Sequence, residues 1–337
     1  MIRLLDNFDL TSYNTFNLKA SAQRFFEFTE SEELLIFLDN EKLPAHSMIL
    51  GGGSNVLFQQ DFNGLVIHPN IPGVLEEDED RNFVYLEAGC GVVWDDLVRI
   101  SVQFELGGLE NLSLIPGNVG AAPIQNIGAY GVEAKDRIHL VRGIHLDSGK
   151  RFEMDNDECQ FGYRNSIFKH ELKNKVVITS VVFKLDKFPE FNLDYGALRT
   201  EVDQLGKANL TNIRKAVIKI REEKLPDPKV IGNAGSFFKN PLVELSVANQ
   251  LIEKYGKVPV YPASDNCVKL AAGWLIDQCG WKGFRNGEVG VHPNQALVLV
   301  NYGNAMGSDL VNLSNQIRKS VQEKFHILLE PEVNIIG

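Results

Sequence analysis

Residues 114–131, LIPGNVGAAPIQNIGAYG, constrain the fold of this chain more than any other segment. The segment contains four glycines and few large side chains, so it offers no packing face and loses much backbone entropy on ordering. Glycine lets main-chain N–H groups approach an anion closely, and Gln125 and Asn126 add hydrogen-bonding amides. The segment therefore predicts the binding surface of a phosphorylated cofactor, and its composition leaves a long surface loop as the alternative.

Size and charge limit the class of protein. The chain has 337 residues, of which 44% are hydrophobic, and this is enough for two or three domains with substantial cores. Its 34 Lys+Arg against 44 Asp+Glu give a net charge of −10, which argues against a nucleic-acid partner. The first residues lack a signal-peptide pattern, and no apolar run approaches the roughly 18 residues of a membrane span. We therefore expect a cytoplasmic protein with no nucleic-acid or membrane partner. Separately, we expect a monomer that binds small molecules.

The four cysteines, Cys90, Cys159, Cys267 and Cys279, are scattered along the chain. They form no CxxC pair and have no histidines at ligand spacing. This pattern predicts reduced thiols in packed positions, with neither a disulfide framework nor a metal site.

A second glycine run follows a predicted strand at residues 47–50. It reads Gly51-Gly52-Gly53-Ser54-Asn55. The run is not a dinucleotide-binding GxGxxG, because Val56 occupies the sixth position, and no Gly-Lys-Ser/Thr of a Walker loop follows. Three glycines followed by Ser-Asn favour a phosphate cradle, with a structural hairpin turn as the alternative.

Hydrophobic periodicity predicts an α+β fold. Strands are expected at residues 24–29, 47–50, 83–88, 142–147, 175–185 and 296–301. Helices are expected around residues 34–38, where Thr29 and Glu32 form a capping box, and at 92–104, 213–220, 244–254, 267–279 and 309–325. Residues 186–212 are polar and turn-rich, so we interpret them as a linker.

Three short segments carry candidate chemistry. Arg164 lies among aromatic and small residues, a setting that also suits a surface cation. Ser236 follows Gly-x-x-Gly and precedes two phenylalanines, so its hydroxyl could face a dry pocket or simply cap a tight turn. No GxSxG elbow surrounds it, which argues against a hydrolase. Glu330 and Glu332 could each be a buried carboxylate or an exposed acid.

Five motifs, in this order, resemble those of the flavin-dependent UDP-N-acetylenolpyruvoylglucosamine reductases, also called UDP-N-acetylmuramate dehydrogenases, of bacterial peptidoglycan synthesis. They are GGGSNVL at 51–57, IPGNVGAAPIQNIGAYG at 115–131, YRNS at 163–166, GNAGSFFKNP at 232–241 and EPEVNIIG at 330–337. The resemblance covers almost the whole chain. Segment 186–205, with Tyr195, is similar to the extra loop of the longer form of the family, whose tyrosine folds over bound substrate.

The resemblance implies a two-part FAD-binding region of the vanillyl-alcohol oxidase type at residues 1–205, with subdomains of about 1–65 and 66–205. Residues 326–337 would pack back on this region. A smaller α+β substrate-binding domain would span residues 206–325.

The implied reaction reduces UDP-N-acetylglucosamine enolpyruvate to UDP-N-acetylmuramate, with NADPH reducing the FAD. Arg164 would stabilise the enolate-like intermediate, and Ser236 would donate the proton. Glu332 would orient or polarise the intermediate. Its distance from Gly337 matches the family motif better than that of Glu330.

The resemblance also implies the binding residues. The predicted FAD contacts are Gly51, Gly52, Gly53, Ser54, Asn55, Pro116, Gly117, Asn118, Val119, Gly120, Ala122, Gln125, Asn126 and Gly128. The predicted substrate contacts are Tyr195, Lys224, Asn240, Tyr261, Lys269 and Gln295. We expect non-covalent FAD, because neither glycine-rich run contains cysteine or histidine, although His68 and His139 are close in sequence.

Two other functions remain open at this stage. One is an oxidase of the same flavin-binding class that acts on a sugar or alcohol and uses oxygen as acceptor. The other is a non-enzymatic protein that binds a UDP-sugar or flavin.

Overall fold

A computed structural model describes residues 3–264 and 266–337. Met1 and Ile2, the first residues of the predicted FAD-binding region, lie outside the described residues. The α-helices are α1 Ser31–Asn40, α2 Trp94–Gln103, α3 Leu198–Leu205, α4 Leu210–Lys224, α5 Leu245–Tyr255, α6 Ala272–Gln278 and α7 Gly307–Phe325. Short 3-10 helices span Thr11–Tyr13, Glu110–Leu112, Val119–Ala121, Ala134–Asp136 and Ile167–Lys169.

The strands of the described residues follow in chain order. They are β1 Arg3–Asp9, β2 Ser21–Phe28, β3 Ser47–Ile49, β4 Val56–Phe58, β5 Phe62–Pro69, β6 Val74–Glu79, β7 Phe83–Gly89, β8 Gly128–Ala129, β9 Val132–Glu133, β10 Ile138–His145, β11 Arg151–Asp155, β12 Val176–Asp186, β13 Leu242–Glu244, β14 Val260–Ser264, β15 Cys267–Leu270, β16 Arg285–Asn286, β17 Val289–Val291, β18 Leu299–Asn301 and β19 Asn334–Ile336. The predicted strands at 24–29, 47–50, 83–88, 142–147, 175–185 and 296–301 correspond to β2, β3, β7, β10, β12 and β18.

The chain divides into two compact units, each built from several pieces of sequence. Unit 1 comprises the residues up to Phe8, Ala22–Gly53 and Asn63–Glu222. Unit 2 comprises Asp9–Ser21, Ser54–Phe62 and Glu223–Gly337. These limits differ from the predicted domains, because α4 belongs to unit 1 as far as Glu222 and two early segments belong to unit 2.

Unit 1 contains two larger sheets. One has the strand order β1-β2-β5-β3, and the other is antiparallel with the order β11-β10-β12-β7-β6. Helix α1 packs Phe37 on Phe26 of β2, with ring centroids 4.1 Å apart. Helix α2 packs Trp94 edge-on against Phe183 of β12, at 5.7 Å. The β-branched residues of β12 suit its central position in the second sheet.

Unit 2 is organised around α7. Leu310, Leu313, Ile317 and Val321 recur at helical spacing along α7 and are fully or nearly fully buried. They share one core with α6 and with the small sheets β13-β15-β14 and β16-β17-β18. Strand β19 pairs in parallel with β4, with Asn334 opposite Val56. The separate sheets and helices of the two units match the predicted α+β class.

Two local predictions are wrong. No capping box forms at α1: Glu30 is the N-cap residue, and the backbone N–H of Thr29 donates to Glu33 at 2.9 Å instead of pairing with Glu32. Residues 267–279 begin as strand β15, because Val268 pairs with β13 and β14, and only then form α6. Tertiary pairing has overridden helix propensity there.

The predicted linker at 186–212 is also wrong. It contains α3, and Leu193, Leu198 and Val202 are buried in a cluster with the apolar face of α4. The polar residues that suggested a linker occupy the solvent side of this cluster. Among the residues that the structure describes, no helix combines the length and the apolar character that a membrane span requires.

Candidate active site

In unit 1 the two glycine-rich runs touch. Residues 51–53 follow β3, and a Cβ at Gly52 would lie 2.6 Å from Oδ1 of Asn118 and 3.1 Å from Cα of Gly117. Only glycine permits this approach, and Gly53 also has a left-handed φ of +63°. The hairpin alternative is therefore wrong, because β3 pairs in parallel with β5 and this turn serves close approach.

The central segment 114–131 is anchored on the connection from β7 to α2. The N–H of Val119 donates to Val92, and that of Gly120 donates to the carbonyl of Cys90 at 3.0 Å. A Cβ at Gly120 would lie 2.6 Å from Cβ of Cys90. Burial raises the pKa of the Cys90 thiol to about 11, as suits a packing residue. Val119 and Ala122 are buried, so the segment is not a loose surface loop.

Arg164 is joined to this segment. Its guanidinium donates to the carbonyl of Gly128 at 3.0 Å, and its own φ is +52°. The side chain of Ser166 donates to Ile124 at 2.6 Å. An arginine in the left-handed region is strained, and such strain often occurs at functional sites. The structure thus brings Arg164 to the predicted cofactor segment.

Asn126 is fully buried and connects the central segment to the residues just before Arg164. Its Nδ2 donates to Gly162 at 3.0 Å and to Glu133 at 2.9 Å, while its Oδ1 accepts from the N–H of Lys135 at 2.9 Å. Both the Nδ2 and the Oδ1 atom of Asn126 are thus engaged in hydrogen bonds within the protein. The predicted FAD contact of Asn126 therefore stays a prediction, as do the contacts of Pro116 and Gln125.

Unit 2 brings Ser236 next to Glu332. The N–H of Glu332 donates to the carbonyl of Phe237 at 2.8 Å, and the N–H of Phe237 donates to Leu297 at 2.8 Å. Residues 236–239 thus lie between two extended segments. Phe237 and Phe238 are buried while Ser236 is exposed, which presents its hydroxyl at the surface of this unit.

The structure distinguishes the two candidate carboxylates. The Glu330 side chain is 71% exposed and pairs with Lys239 at 3.5 Å. Glu332 is half-buried, and its carbonyl accepts from the side chain of Asn55 at 3.2 Å. Asn55 in turn accepts from the N–H of Asn334 at the start of β19. Glu332 is thus the less exposed of the two acids, and its catalytic role stays a prediction.

Four of the predicted substrate residues of unit 2 form two pairs. Tyr261 and Lys269 lie directly opposite each other on β14 and β15. Asn240 and Gln295 flank the start of α6: Oδ1 of Asn240 accepts from the N–H of Ala272 at 3.0 Å, and Gln295 lies beside Gly273. Lys224 is exposed at the end of α4. Tyr195 belongs to unit 1, where its ring lies 5.9 Å from that of Tyr130.

Two family models match the chain. One is described as "FAD binding domain" and matches residues 33–155, and the other, "UDP-N-acetylenolpyruvoylglucosamine reductase, C-terminal domain", matches residues 227–336. The chain is similar to UDP-N-acetylenolpyruvoylglucosamine reductases over nearly its full length. Identity is 46% with that of Flavobacterium johnsoniae (99% of this chain, 100% of the relative) and 47% with that of Neisseria gonorrhoeae (97% and 95%).

The chain belongs to the UDP-N-acetylenolpyruvoylglucosamine reductase family.

A solved structure of the reductase from Thermus caldophilus shares the fold. Its TM-score is 0.68 at 24% identity, over 100% of this chain and 99% of that one. These similarities confirm the resemblance inferred from the five motifs. The chain is an FAD-containing oxidoreductase of this reductase family.

The described residues suit an anionic group such as FAD. At Gly52 the main chains of the two glycine-rich runs approach each other closely, and the main-chain N–H groups of such runs can bind an anion. Nε of Arg221, on α4 of unit 1, is buried without a hydrogen-bond partner among the described residues. Burial lowers the pKa of Arg221, and a buried unsatisfied donor favours binding of an acceptor.

Sequence reasoning missed the residues that support the start of the reductase's cofactor segment. Arg214 of α4 forms two 2.7 Å bonds to the carboxylate of Asp95 on α2, and Asp95 also accepts from the N–H of Leu114 at 2.5 Å. Although burial opposes ionisation, the bonds from Arg214 and Leu114 hold the pKa of Asp95 below its usual value. No sequence motif marks a pair separated by 119 residues.

Proposed function

We propose that this reductase converts UDP-N-acetylglucosamine enolpyruvate to UDP-N-acetylmuramate, with Ser236 donating the proton. Membership of the reductase family supports the overall reaction. The observation that carries the residue assignment is the pairing of the Ser236 segment with the Glu332 segment in unit 2. A hydroxyl and a carboxylate on adjacent extended segments can act on one bound ligand.

The cofactor fits the glycine-rich runs of unit 1. Gly51, Gly52 and Gly53 and the segment around Gly117 and Gly120 would hold the diphosphate through main-chain N–H groups. The chemistry that bound FAD supplies is hydride transfer, from NADPH to the flavin and then to the methylene carbon of the enolpyruvyl group. The protein's part is to bind, orient and stabilise charge, without a covalent link to the flavin.

Arg164 is the proposed electrostatic residue. When hydride adds to the methylene carbon, negative charge collects on the carbon bearing the ether oxygen and on the carboxylate. A guanidinium beside that carboxylate stabilises the charge more in the transition state than in the ground state. The bond from Arg164 to Gly128 pre-organises the cation before the substrate enters.

Ser236 and Glu332 complete the reduction. A serine hydroxyl is a weak acid in water, so it protonates only a strongly basic carbon in a positioned site from which water is excluded. Burial of Phe237 and Phe238 fixes the backbone that presents Ser236. Glu332 would polarise or orient the intermediate from the neighbouring segment.

The UDP-sugar requires a binding site of its own. We assign its contacts to Lys224, Asn240, Tyr261, Lys269, Gln295 and Tyr195. Two lysines can neutralise a diphosphate, and amide and phenol groups can bind the sugar and the base. We propose a monomer that acts in the cytoplasm on these small molecules.

The test begins with the purified protein and its visible spectrum. Bound flavin should absorb near its usual bands, and NADPH oxidation should depend on the enolpyruvyl UDP-sugar. A protein that stays colourless after FAD is added contradicts the proposal. Rapid oxygen consumption without UDP-sugar would favour the oxidase alternative instead.

A further inference from the structure

The chain segment that carries Tyr195 is fastened to the end of the glycine-rich segment by two asparagines, here called the asparagine clamp, Asn111 and Asn192. Nδ2 of Asn192 donates to the carbonyl of Gly131 at 3.2 Å. Nδ2 of Asn111 donates both to the carbonyl of Tyr130 at 3.0 Å and to that of Asn192 at 2.8 Å. All of these residues belong to unit 1.

Asn111 provides the fixed point of the clamp. It lies in the 3-10 helix Glu110–Leu112 and is only 1% exposed. A buried amide that loses an acceptor pays the full cost of desolvation, so Asn111 holds both carbonyls where its N–H groups point. Those carbonyls belong to segments 19 and 81 residues away in sequence.

Gly131 is shaped for this contact. Its φ is +80°, and a Cβ at this position would lie 3.1 Å from Nδ2 of Asn192. Gly196, one residue after Tyr195, has a φ of +60°, and a Cβ there would meet no heavy atom within 4 Å. The Tyr195 segment is thus held at Asn192, while its backbone at Gly196 faces open space.

Aromatic packing extends the same connection. The rings of Tyr130 and Tyr195 meet edge-on at 5.9 Å and 84°. Tyr130 also packs, with Phe191, against the cluster that contains Leu193. The position of Tyr195 therefore follows that of the last residues of the glycine-rich segment.

We propose that Asn111 and Asn192 are positioning residues for the UDP-sugar, acting through Tyr195. The clamp fixes the base of the Tyr195 segment to the cofactor segment, so that the segment is pre-oriented at Asn192 and only its tip must move when the phenol folds over the nucleotide diphosphate. Pre-orientation reduces the conformational entropy that the segment loses when the UDP-sugar binds. The proposal rests on the proposed function, which assigns Tyr195 to the substrate.

The test uses the FAD-loaded enzyme and the variant Asn192→Ala, because Asn192 is exposed and its replacement should leave the core intact. The Kd for the UDP-sugar should rise about three- to tenfold, as expected for loss of the two exposed side-chain hydrogen bonds of Asn192, to the carbonyl of Gly131 and from the N–H of Asp194. The rate of flavin reduction by NADPH should change less than about twofold. Asn40→Ala is the control, since exposed Asn40 donates in the same way to Ile36 on α1.

A double-mutant cycle with Tyr195→Phe separates positioning from general damage. If the clamp acts through the phenol, Asn192→Ala should weaken UDP-sugar binding no further in the Tyr195→Phe enzyme. The proposal would be overturned if the two substitutions reduced UDP-sugar affinity additively, or if Asn192→Ala slowed flavin reduction as much as it weakened UDP-sugar binding. Neither result would contradict the overall reaction. An enzyme without any UDP-sugar-dependent NADPH oxidation would instead reject the proposed function. Hydrogen exchange of residues 189–196 should also quicken in Asn192→Ala, and unchanged exchange contradicts the clamp.

Discussion

At Ser236, neighbouring residues in one extended segment have opposite environments. The hydroxyl side chain is exposed, whereas the next two rings, of Phe237 and Phe238, are 0% and 1% exposed. The buried rings fix the backbone by packing, and backbone hydrogen bonds to Leu297 and from Glu332 fix it from both sides. A weak acid needs such support, because its proton transfer depends on placement more than on acidity.

Ser236→Ala should separate the two half-reactions. Reduction of the flavin by NADPH should persist, whereas its reoxidation by the UDP-sugar should slow by about a hundredfold or more, because the proton donor is gone. Stopped-flow absorbance of the flavin measures both rates.

Ser246→Ala provides the control for this variant. Ser246 is an exposed serine of α5 in the same unit, and its hydroxyl donates to Glu244 at 3.3 Å. Equal slowing of both half-reactions in Ser236→Ala would mean that Ser236 has a structural role.

Among the elements, the turn after β3 depends on glycine at position 52 for its close approach to Gly117 and Asn118. Gly52→Ala would place a Cβ 2.6 Å from Oδ1 of Asn118 and 3.1 Å from Cα of Gly117, so the Asn118 side chain must move and the backbone contact is overpacked. Overpacking of this kind costs about 1–3 kcal/mol, so FAD affinity should fall about tenfold or more. Gly51→Ala is the matched comparison, since its Cβ would meet only Cβ of Ala121, at 3.8 Å. Fluorescence titration with FAD should rank Gly52→Ala as the weaker binder, and the reverse order would contradict this account.

The ion pair between α2 and α4 gives a pH-dependent contribution to stability. The folded-state pKa of Asp95 is lowered, so the pair stabilises the fold above the unfolded pKa of about 3.9 and loses this effect as pH falls. Asp95→Asn should reduce the free energy of unfolding by about 1–2 kcal/mol at pH 7, since the pair is partly buried. The difference from the parent protein should shrink towards pH 3. Urea denaturation at several pH values measures it, and a constant difference would exclude Asp95 as the cause.

Sequence reasoning succeeded where the signal is local. The strand β12 has a run of β-branched residues, and α4 repeats apolar residues at helical spacing, so both could be predicted. Sequence reasoning failed at α1, where the side chain of Glu33, not Glu32, accepts from the N–H of Thr29. It also failed at residues 186–212, whose few apolar residues pack against α4. Whether a sparse apolar pattern is buried depends on what packs against it. The same limit applies to Asp95 and Arg214, which are joined only by the fold.

For the whole molecule, binding of FAD and the stability of the folded state are linked. FAD that binds only the folded state stabilises it by about 2.7 kcal/mol at a concentration of 100 Kd. Protein freed of flavin should therefore melt about 5–10 °C lower than protein with excess FAD, for a unit of roughly 200 residues. Riboflavin, which lacks the diphosphate, should shift the melting temperature much less. Equal shifts with the two flavins would contradict a diphosphate site at the glycine-rich runs.

The pairing of β19 with β4 has a consequence for synthesis of the protein. Asn55 and Glu332, joined at this pairing, are 277 residues apart in sequence. At ribosomal rates of about 5–20 residues per second, a nascent chain waits on the order of tens of seconds between making one partner and making the other. During that time the edge of β4 lacks the neighbour it has in the finished fold and is open to wrong partners. The carboxylate proposed for catalysis therefore reaches its place only long after β4 has been made, and β4 is the part of unit 2 that needs protection in the meantime.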